Sequence, residues 1–221
     1  MFKNIVRLTV LVLCLSMECS NIYAYDKGDF QIWNTDVEEV KIHKSVKFAM
    51  EQEFRFGENA SEFFYQHYEW GFVFGFARML DLGFFYRLVL EKNKHKWREE
   101  DEPNANATLK FDLWGFKLED RNRLEYRHFR YKDDSIRYRN RFAIKYPIEF
   151  KKITVSPYAA NEIFVSSDGT GYNENRLFAG TEFELTKYVK ADIYYMLKSN
   201  RIVGGRWTDA NVLGTKLKIA F

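Results

Sequence analysis

The last ten residues alternate between two sets of side chains, and this pattern limits the possible folds more than any other feature of the chain. The first set is Leu213, Thr215, Leu217, Ile219 and Phe221, and the second is Val212, Gly214, Lys216, Lys218 and Ala220. A period of two places successive side chains on opposite faces of a β-strand. We therefore predict a strand at 212–221 with one face that is mostly apolar.

The same alternation recurs along the chain from residue 30 onward. It is clearest at 46–56, 82–90 and 189–197, and weaker segments lie near 30–42, 62–75, 105–115, 116–129, 135–147, 152–165 and 173–185. Three clear segments, seven weaker ones and the last strand make eleven. No segment shows a sustained apolar stripe with the period of a helix, so we predict an all-β protein without substantial helix.

The composition allows a membrane protein even though the chain is polar on average. The mean hydropathy is −0.44 and 29% of the residues are charged, which is typical of soluble domains. A transmembrane β-barrel escapes this measure because its lumen-facing residues are polar. Aromatic residues make up 18% of the chain, which suits the aromatic girdles of such a barrel. The net charge of +3 does not favour a nucleic-acid partner.

The N-terminal residues have the pattern of a secretory signal peptide. Lys3 and Arg7 precede an apolar run at 8–15, and a cleavage site follows at 22–24. The apolar run is too short to span a membrane as a helix. We therefore predict export through a cleaved signal peptide, 1–24.

Cleavage leaves one domain, residues 25–221, without cysteine. The chain has two cysteines, Cys14 and Cys19, and both lie within the predicted signal peptide. We therefore expect neither a disulfide framework nor thiol chemistry in this domain.

Three features favour a membrane barrel over a soluble β-sandwich or soluble barrel, whose strands would show the same period. They are the signal peptide, the aromatic residues near strand ends and the last strand. That strand, with Leu217, Ile219 and Phe221, resembles the C-terminal signal that the barrel-assembly machinery reads in bacterial outer-membrane proteins. We predict an antiparallel up-and-down transmembrane β-barrel in the outer membrane, present as a monomer. Outer-membrane lipid, lipopolysaccharide and the assembly machinery are its expected partners.

The number of strands counted from the alternating segments does not agree with the number that such a barrel needs. Bacterial single-chain barrels have an even number of strands, whereas the alternating segments number eleven. A turn at 34–36 would divide 25–42 into two short strands. Twelve strands is therefore the best estimate and ten the fallback. The last strand must descend toward the periplasm, so the connection at 199–206 is expected outside the cell.

The densest charge lies in the predicted hairpin 116–147. Charged residues alternate with apolar ones on both of its strands, so both charged rows are expected to point into the lumen. With residues from other strands, the predicted lumen cluster comprises Glu51, Glu53, Arg55, Glu119, Arg121, Arg123, Glu125, Arg127, Arg137, Arg139, Arg141, Glu162 and Arg176. One interpretation is a set of arginine–carboxylate pairs that fill the barrel, since charge in a narrow lumen needs partners. The other is a cationic wall that binds or conducts a small anionic solute.

Several short motifs, taken in order, resemble a known family. They are the runs 121–127 and 137–141, then Pro157 and Tyr158 with Glu162 and Phe164, then Asn175 and Arg176 with Gly180, preceded by Trp33 and the segment 51–55. In this order they are similar to the bacterial family called domain of unknown function 2490, over nearly the whole chain after the signal peptide. The resemblance implies an outer-membrane barrel, and it implies no activity, ligand or catalytic residue.

A hydrolase of the outer membrane would need a serine–histidine pair. His67 shares a strand with Ser61, about 20 Å away by strand rise, and His128 lies across a loop from Ser135. No GxSxG, HExxH, CxxC or phosphate-loop pattern occurs, and the scattered histidines do not form a metal site. We therefore assign no catalytic residue, metal or cofactor, and a lipid-modifying enzyme is the least favoured hypothesis.

The charged run at 92–102 is expected to form a solvated extracellular loop. Lys92, Lys94, Lys96 and Arg98 precede four acidic residues, with Trp97 in the middle of the run. The alternative is contact of its basic half with lipopolysaccharide phosphates. For function, two hypotheses remain ahead of the enzyme: a narrow channel or binding barrel for a small anionic solute, and a non-conducting structural or interaction barrel.

Overall fold

The computed structural model describes residues 28–93, 96–202 and 205–221, and the predicted signal peptide, 1–24, lies outside them. The described chain forms twelve strands. They are β1 (Asp29–His43), β2 (Val46–Gly57), β3 (Glu62–Ala77), β4 (Leu80–Asn93), β5 (Lys96–Leu113), β6 (Phe116–Phe129), β7 (Ser135–Lys145), β8 (Ile148–Phe150), β9 (Ile153–Ser166), β10 (Gly171–Glu184), β11 (Val189–Arg201) and β12 (Trp207–Ala220). Within the described ranges there is no helix long and apolar enough to cross a membrane.

Eleven of the strands close into a barrel, and the twelfth lies outside the ring. Successive barrel strands pair as antiparallel neighbours, including β7 with β9. The ring closes between β1 and β12, which run parallel from the pair Asp29–Ala210 to the pair Glu39–Ala220. β8 pairs with the start of β9 beside the barrel. The predicted all-β barrel is confirmed, as is the total of twelve strands.

The structure corrects two details of the predicted strand count. β1 is continuous through Asn34, so the predicted turn at 34–36 is wrong. The twelfth strand is instead β8, a three-residue strand in the connection between β7 and β9. Because strand direction alternates around the ring, an odd number of barrel strands requires one parallel pair, and β1 and β12 supply it.

The charged run at 92–102 is largely strand rather than loop. β4 continues to Asn93, β5 begins at Lys96, and Lys92 is opposite Trp97 across this hairpin. The predicted extracellular loop is therefore wrong. Alternation continues through the charged residues of this run, and every second one points into the barrel.

The two ends of the barrel differ in their connections. One end, called here the loop end, carries the connections 58–61, 130–134 and 167–170. The opposite end, called the turn end, carries the two-residue turns 44–45, 78–79 and 114–115, and also the longer connections 146–152, which includes β8, and 185–188. At the turn 114–115, Trp114 and Gly115 have φ values of 50° and 84°, and positive φ at both positions is what a tight hairpin turn of type I′ requires.

The barrel has an apolar exterior and a polar interior. Trp70, Phe72 and Phe84 on the outer face of β3 and β4 are 42%, 43% and 56% exposed. Glu125 and Glu162 inside the barrel are 0% and 2% exposed. A soluble protein shows the opposite polarity, whereas a barrel whose outer wall contacts lipid shows this one.

Candidate functional site in the barrel lumen

Charged and aromatic side chains fill the lumen at the loop end, and this filling is called here the plug. Its members are Trp33, Glu53, Arg55, Tyr65, His67, Glu69, Arg87, Glu100, Glu102, Arg123, Glu125, Arg127, Arg137, Arg139, Glu162, Phe164, Glu174, Arg176 and Met196. They alternate along each strand with outward-facing residues, so strand geometry brings them to one side of the wall. The apolar members Trp33, Phe164 and Met196 are at most 2% exposed.

Glu125 lies at the centre of the plug. Its carboxylate accepts hydrogen bonds from Nε of Arg137 and from Nη1 of Arg139, the second at 2.8 Å. Nη1 of Arg87 and Nη1 of Arg123 each lie 3.8 Å from the same carboxylate. A buried charge is tolerated only with such partners, because burial of an unpaired carboxylate is costly. Glu125 thus joins β4, β6 and β7.

A second buried carboxylate, that of Glu162 on β9, is shared by three arginines. Nη2 of Arg139 and Nη2 of Arg121 donate to one of its oxygens at 2.9 Å and 3.0 Å. Nη1 of Arg176 lies 3.8 Å from the other oxygen. The guanidinium of Arg176 also lies 4.5 Å from the ring centroid of Phe164. Two of these arginines also bind other carboxylates, Arg139 that of Glu125 and Arg176 that of Glu174, so Glu162 belongs to a shared network of charges.

One set of contacts spans the lumen between strands that are not neighbours. Glu69 on β3 accepts hydrogen bonds from Nη1 and Nη2 of Arg123 on β6, at 3.2 Å and 3.3 Å. Arg87 on β4 lies 2.5 Å from the same carboxylate and donates to Glu102 on β5 at 3.1 Å. Because two strands separate β3 from β6, the bidentate Glu69–Arg123 pair bridges the interior.

An arginine between two aromatic rings closes another side of the plug. The guanidinium carbon of Arg55 lies 3.6 Å from a ring centroid of Trp33 and 3.7 Å from that of Tyr65. Nη2 of Arg55 lies 2.6 Å from Glu53. A planar guanidinium can stack on rings through its faces while its edge binds a carboxylate, so one side chain both packs and neutralises charge.

Two carboxylates of the plug come from the run that was predicted to be a loop. Glu100 and Glu102 are 4% and 1% exposed. Nη2 of Arg127 donates to Glu100 at 2.8 Å, and Nη2 of Arg137 donates to Glu102 at 2.9 Å. The prediction missed both glutamates. Both glutamates lie an even number of residues before Asn104, which is buried further along β5, so all three share the inner face of the strand. A predicted strand that began before the charged run would have placed both glutamates inside the barrel.

At the turn end the lumen is open and holds a cavity of about 600 Å³, called here the vestibule. Its lining includes Val37, Glu39, Lys47, Ala49, Glu51, Gly83, Phe85, Lys110, Lys117, Glu119, Arg121, Arg141, Ala143, Lys145, Tyr158, Glu182, Asp192, Lys216 and Lys218. Several lysines pair with carboxylates, such as Lys216 with Glu51 and Lys145 with Glu182, each at 2.9 Å. The plug forms the floor of this cavity.

Arg121 and Arg141 differ from the other cations at the floor of the vestibule. They occupy directly opposite positions on β6 and β7, where like charges repel. Arg121 has one carboxylate partner, Glu162. Arg141 forms no ion pair with a described residue, its Nε is buried without a hydrogen-bond partner, and its guanidinium lies 4.9 Å from the ring centroid of Phe178. The two arginines therefore present positive charge to the cavity that the protein compensates only in part.

The structure divides the predicted lumen cluster between the two halves of the barrel. Glu51, Glu119, Arg121 and Arg141 line the vestibule, and the other nine members of the predicted cluster belong to the plug. Glu119 forms no ion pair within the described chain. The plug also holds charged residues that the prediction did not include, namely Glu69, Arg87, Glu100, Glu102 and Glu174. Their alternation within the strands was the available signal.

Leu217 and Ile219 of the predicted assembly signal lie on the outer face of β12, and Phe221 directly follows this strand. Leu217 and Phe221 are 39% and 70% exposed, and Ile219 shares their parity. Leu217 is opposite Asp36 and Ile219 is opposite Glu38 on β1. These apolar side chains therefore lie along the parallel junction that closes the barrel.

His67, the first histidine considered for catalysis, is a buried member of the plug. Its Nδ1 lies 3.2 Å from the hydroxyl of Tyr65, and its Nε2 lies 3.3 Å from Glu51. Ser61 instead donates its hydroxyl hydrogen bond to the carbonyl of Glu58 at 2.6 Å. No serine–histidine contact forms at this position of the described chain.

His128, the second histidine, points to the opposite side of the wall from Ser135. His128 is exposed, whereas Ser135 is 4% exposed inside the barrel. Asp134 accepts a hydrogen bond from the hydroxyl of Tyr126 at 2.5 Å and lies 2.9 Å from Nδ1 of His128. These hydrogen bonds lower the pKa of the Asp134 carboxyl to about 2. The group is a loop anchor at the rim.

Comparisons with known proteins give a family and a similar fold. The sequence profile of a family described as "Protein of unknown function (DUF2490)" matches residues 30–208. No curated protein sequence matches the chain. Among solved structures, the beta domain of the Bordetella autotransporter Brka is similar, with a TM-score of 0.48 and 12% identity over 77% of this chain and 82% of that one. No group of His, Cys, Asp or Glu side chains in the described ranges is arranged to hold a metal ion.

Proposed function

Since the chain belongs to the DUF2490 family, described only as proteins of unknown function, we propose a function from the lumen itself. The protein is a barrel of the bacterial outer membrane that binds a small anionic solute in the vestibule. The solute enters from the turn end, and the plug prevents its passage to the loop end. The predicted signal peptide, 1–24, directs its export.

The outer wall and the connections support this placement. Aromatic side chains such as Trp70, Phe72 and Phe84 on the outer face suit contact with lipid. Outer-membrane barrels have short turns on the periplasmic side and longer loops outside the cell. The two-residue turns of this barrel therefore favour a turn end, and a vestibule, that faces the periplasm.

The observation that carries the proposal is the missing partner of Arg141. Among the described residues no carboxylate pairs with its guanidinium, and its buried Nε–H has no acceptor. The Nε atoms of Arg87 and Arg139 also lack an acceptor, but the other guanidinium nitrogens of those two residues bind carboxylates. A buried unsatisfied donor costs about 1–3 kcal/mol. A carboxylate or phosphate binds a guanidinium through two oxygens and would supply the charge partner that Arg141 lacks. Arg121, directly opposite on β6, would add a second guanidinium to the same anion.

The size and charge of the vestibule fit a small solute. Its volume of about 600 Å³ lies within the range of about 300–1,000 Å³ that is typical of small-molecule sites. Lys117 lines the same cavity and forms no ion pair with a described residue. The whole lining carries nine basic and eight acidic side chains, so the attraction for an anion is local. It is greatest near the basic side chains that have no carboxylate partner, where positive charge raises the local concentration of anions.

The plug favours binding over conduction. Pores usually present rings of charge that permeating ions can contact, whereas the carboxylates of Glu125 and Glu162 are buried among arginines. Removal of one partner from a buried ion pair costs about 3–5 kcal/mol. A path through the plug would require several such pairs to break together, so the solute is retained in the vestibule.

Titration calorimetry on the folded barrel in detergent tests this proposal, with inorganic phosphate and a short dicarboxylate as probes. We expect saturable binding of at least one probe. Arg141→Gln should weaken it about tenfold or more, because a charge-assisted hydrogen bond contributes about 1.5–3 kcal/mol. Arg141→Lys should restore part of the affinity, since it keeps the charge but not the bidentate edge.

Arg130→Gln is the matched control. Arg130 is an exposed arginine that pairs with Glu99 at 2.7 Å outside the vestibule, so its loss should leave affinity unchanged. Wild-type protein that binds neither probe, or equal binding by the Arg141→Gln and Arg130→Gln variants, would contradict the proposal. Those results would favour the non-conducting structural barrel.

A further inference from the structure

The outer face of the barrel carries a polar patch in the middle of four neighbouring strands. Its members, called here the asparagine wall, are Asp120 and Asn122 on β6, Asn140 on β7, Asn161 on β9 and Asn175 on β10. Neither the plug nor the vestibule includes any of them. A patch of this kind is unexpected on a wall that faces lipid, because hydrocarbon cannot satisfy amide and carboxylate groups.

Strand pairing gathers these residues into two adjacent rows. The first row is Asn122, Asn140, Ile163 and Asn175, and the second is Asp120, Phe142, Asn161 and Leu177. Three polar positions in the first row and two in the second make five of eight. The rows lie on the outer face, because the intervening residues Arg123 and Glu162 are buried in the lumen.

The wall is hydrogen-bonded within itself but leaves capacity unused. Nδ2 of Asn140 donates to Asp120 at 2.5 Å and to Asn122 at 3.1 Å, and Nδ2 of Asn161 donates to Asn175 at 2.8 Å. Asn122 and Asn175 each use one of their two N–H donors, on Asp120 and on the hydroxyl of Tyr172.

The asparagine wall also has two unused acceptors, as many as its unused N–H donors. Within the described chain, Oδ1 of Asn140 and Oδ1 of Asn161 accept no hydrogen bond from another residue. Two free donors and two free acceptors make the wall complementary to an identical wall, since each copy can supply what the other lacks. A hydrocarbon environment offers neither.

The asparagine wall borders small residues at two places, with Ala107 opposite Asn122, and Ala159 paired with Ala179 on the exposed face of β9 and β10. Large exposed side chains such as Leu124 and Phe142 lie beside its polar members. Small residues let a second surface approach closely, as they do where membrane segments pack together.

We propose that the asparagine wall is an interface with a second copy of this chain in a two-fold dimer. Pairing of the two walls removes the unused amide groups from lipid, and the amides of Asn122 and Asn140 continue to donate hydrogen bonds to Asp120. In a two-fold interface the same patch is used on both copies, so closure produces a dimer and not a chain of molecules. The sequence led us to expect a monomer, and cross-linking between copies distinguishes the two states.

Site-directed cross-linking of the full chain in outer membranes tests the interface. The only cysteines, Cys14 and Cys19, precede the barrel, so a single new cysteine reports one position. We expect Asn140→Cys or Asn161→Cys to form a disulfide-linked dimer on mild oxidation. The control Phe72→Cys, exposed on the outer face of β3, should not.

Heat-modifiable migration first shows that each cysteine variant is folded, and only folded variants are used for cross-linking. Monomer at both wall positions in folded barrels, or equal dimer at Phe72→Cys, would overturn the proposal. A disulfide from Asn161→Cys to a different protein would overturn it as well, since another occupant would then cover the wall.

A second pair of substitutions tests the same interface without cysteine. Asn140→Leu combined with Asn161→Leu replaces both unused acceptors with side chains that lipid accepts. We expect native mass spectrometry in detergent to show a dimer for the wild-type protein and loss of that dimer for the double variant, with the barrel still folded. A dimer that survives the double substitution, or a wild-type monomer, would contradict the proposed interface.

Discussion

The loop-end and turn-end halves of the lumen use the same strands and the same period of two, yet one half is filled and the other is open. In the plug, arginines pair with glutamates and pack against Trp33, Phe164 and Met196. In the vestibule, positions on the inner face carry small residues such as Ala49 and Ala143. Side-chain volume and the number of partners for each charge therefore decide which half is closed.

Two arginines on one strand show the difference at the smallest scale. Arg139 and Arg141 lie on the same face of β7, two positions apart. Arg139 donates to Glu125 at 2.8 Å and to Glu162 at 2.9 Å, whereas Arg141 forms no ion pair with a described residue. Arginine is therefore structural at position 139 and available to a ligand at position 141, the next residue of β7 that faces the lumen.

The largest expected effect comes from removing a carboxylate from the plug. Glu125→Gln leaves buried guanidiniums without compensation, and the free energy of unfolding should fall by about 3–5 kcal/mol. The matched change in the vestibule, Glu119→Gln, removes a carboxylate without an ion pair in the described chain and should change it by about 0.5 kcal/mol or less. Urea titrations followed by heat-modifiable migration measure both. Equal losses would mean that the two halves do not differ.

A second comparison uses tryptophan. Trp33 is 2% exposed in the plug, and Trp114 is 89% exposed at the turn end. Trp33→Ala leaves a cavity beside Arg55 and should lower the free energy of unfolding by about 3 kcal/mol. Trp114→Ala should change it by about 0.5 kcal/mol. Thermal or urea unfolding of the two variants side by side checks the prediction, and a larger effect at Trp114 would contradict it.

The two arginines of β7 provide a third comparison. Arg139→Gln should cost about 2–3 kcal/mol, since hydrogen bonds to two buried carboxylates are lost. Arg141→Gln should leave stability within about 0.5 kcal/mol of wild type, because it removes repulsion with Arg121 and breaks no ion pair. Urea unfolding of the two variants, measured without added anion, compares their free energies of unfolding. A strongly destabilised Arg141→Gln variant would mean that Arg141 is structural.

The smallest expected effect lies at the rim of the loop end, outside the plug. The pKa of Asp134 is lowered from 3.8 to about 2, so its ionised form is favoured in the folded protein. Its contribution is fully present above a pH of about 4 and is lost as the pH falls through about 2. Because Asp134 is exposed, only local opening of the loop should respond.

Hydrogen exchange measures this response at the backbone N–H of Phe129, which donates to Asp134 at 3.2 Å. Asp134→Asn should accelerate exchange a few-fold at neutral pH, with global unfolding unchanged. Exchange at Phe129 that does not respond to the substitution would show that Asp134 does not anchor this loop.

The strands of this barrel were predictable from sequence because their pattern is local. A period of two is set by neighbouring residues, and the eleven segments identified from it correspond to the eleven strands of the ring. The parallel junction of β1 with β12 was not predictable in the same way. It depends on which strands meet after the ring closes, and pairs such as Asp29 with Ala210 are far apart in the chain.

The candidate site was predictable in part, for a related reason. Parity placed Arg139 and Arg141 on the inner face, but it could not distinguish them, because carboxylate partners come from other strands. Glu100 and Glu102 were missed because a dense charged run suggested solvent exposure. In a lumen, a carboxylate can be 1% exposed when arginines from other strands compensate it, as Arg87 and Arg137 do for Glu102.

Planar-bilayer recording of the purified wild-type barrel tests most directly the claim that the lumen is closed at one end and open at the other. Insertion is established by recovering heat-modifiable protein from the same lipid. With the plug intact, the inserted barrel should carry no steady current, and binding of phosphate or a dicarboxylate should still depend on Arg141. A steady ohmic current through the wild-type barrel would contradict the account, because ions would then pass the buried pairs around Glu125 and Glu162.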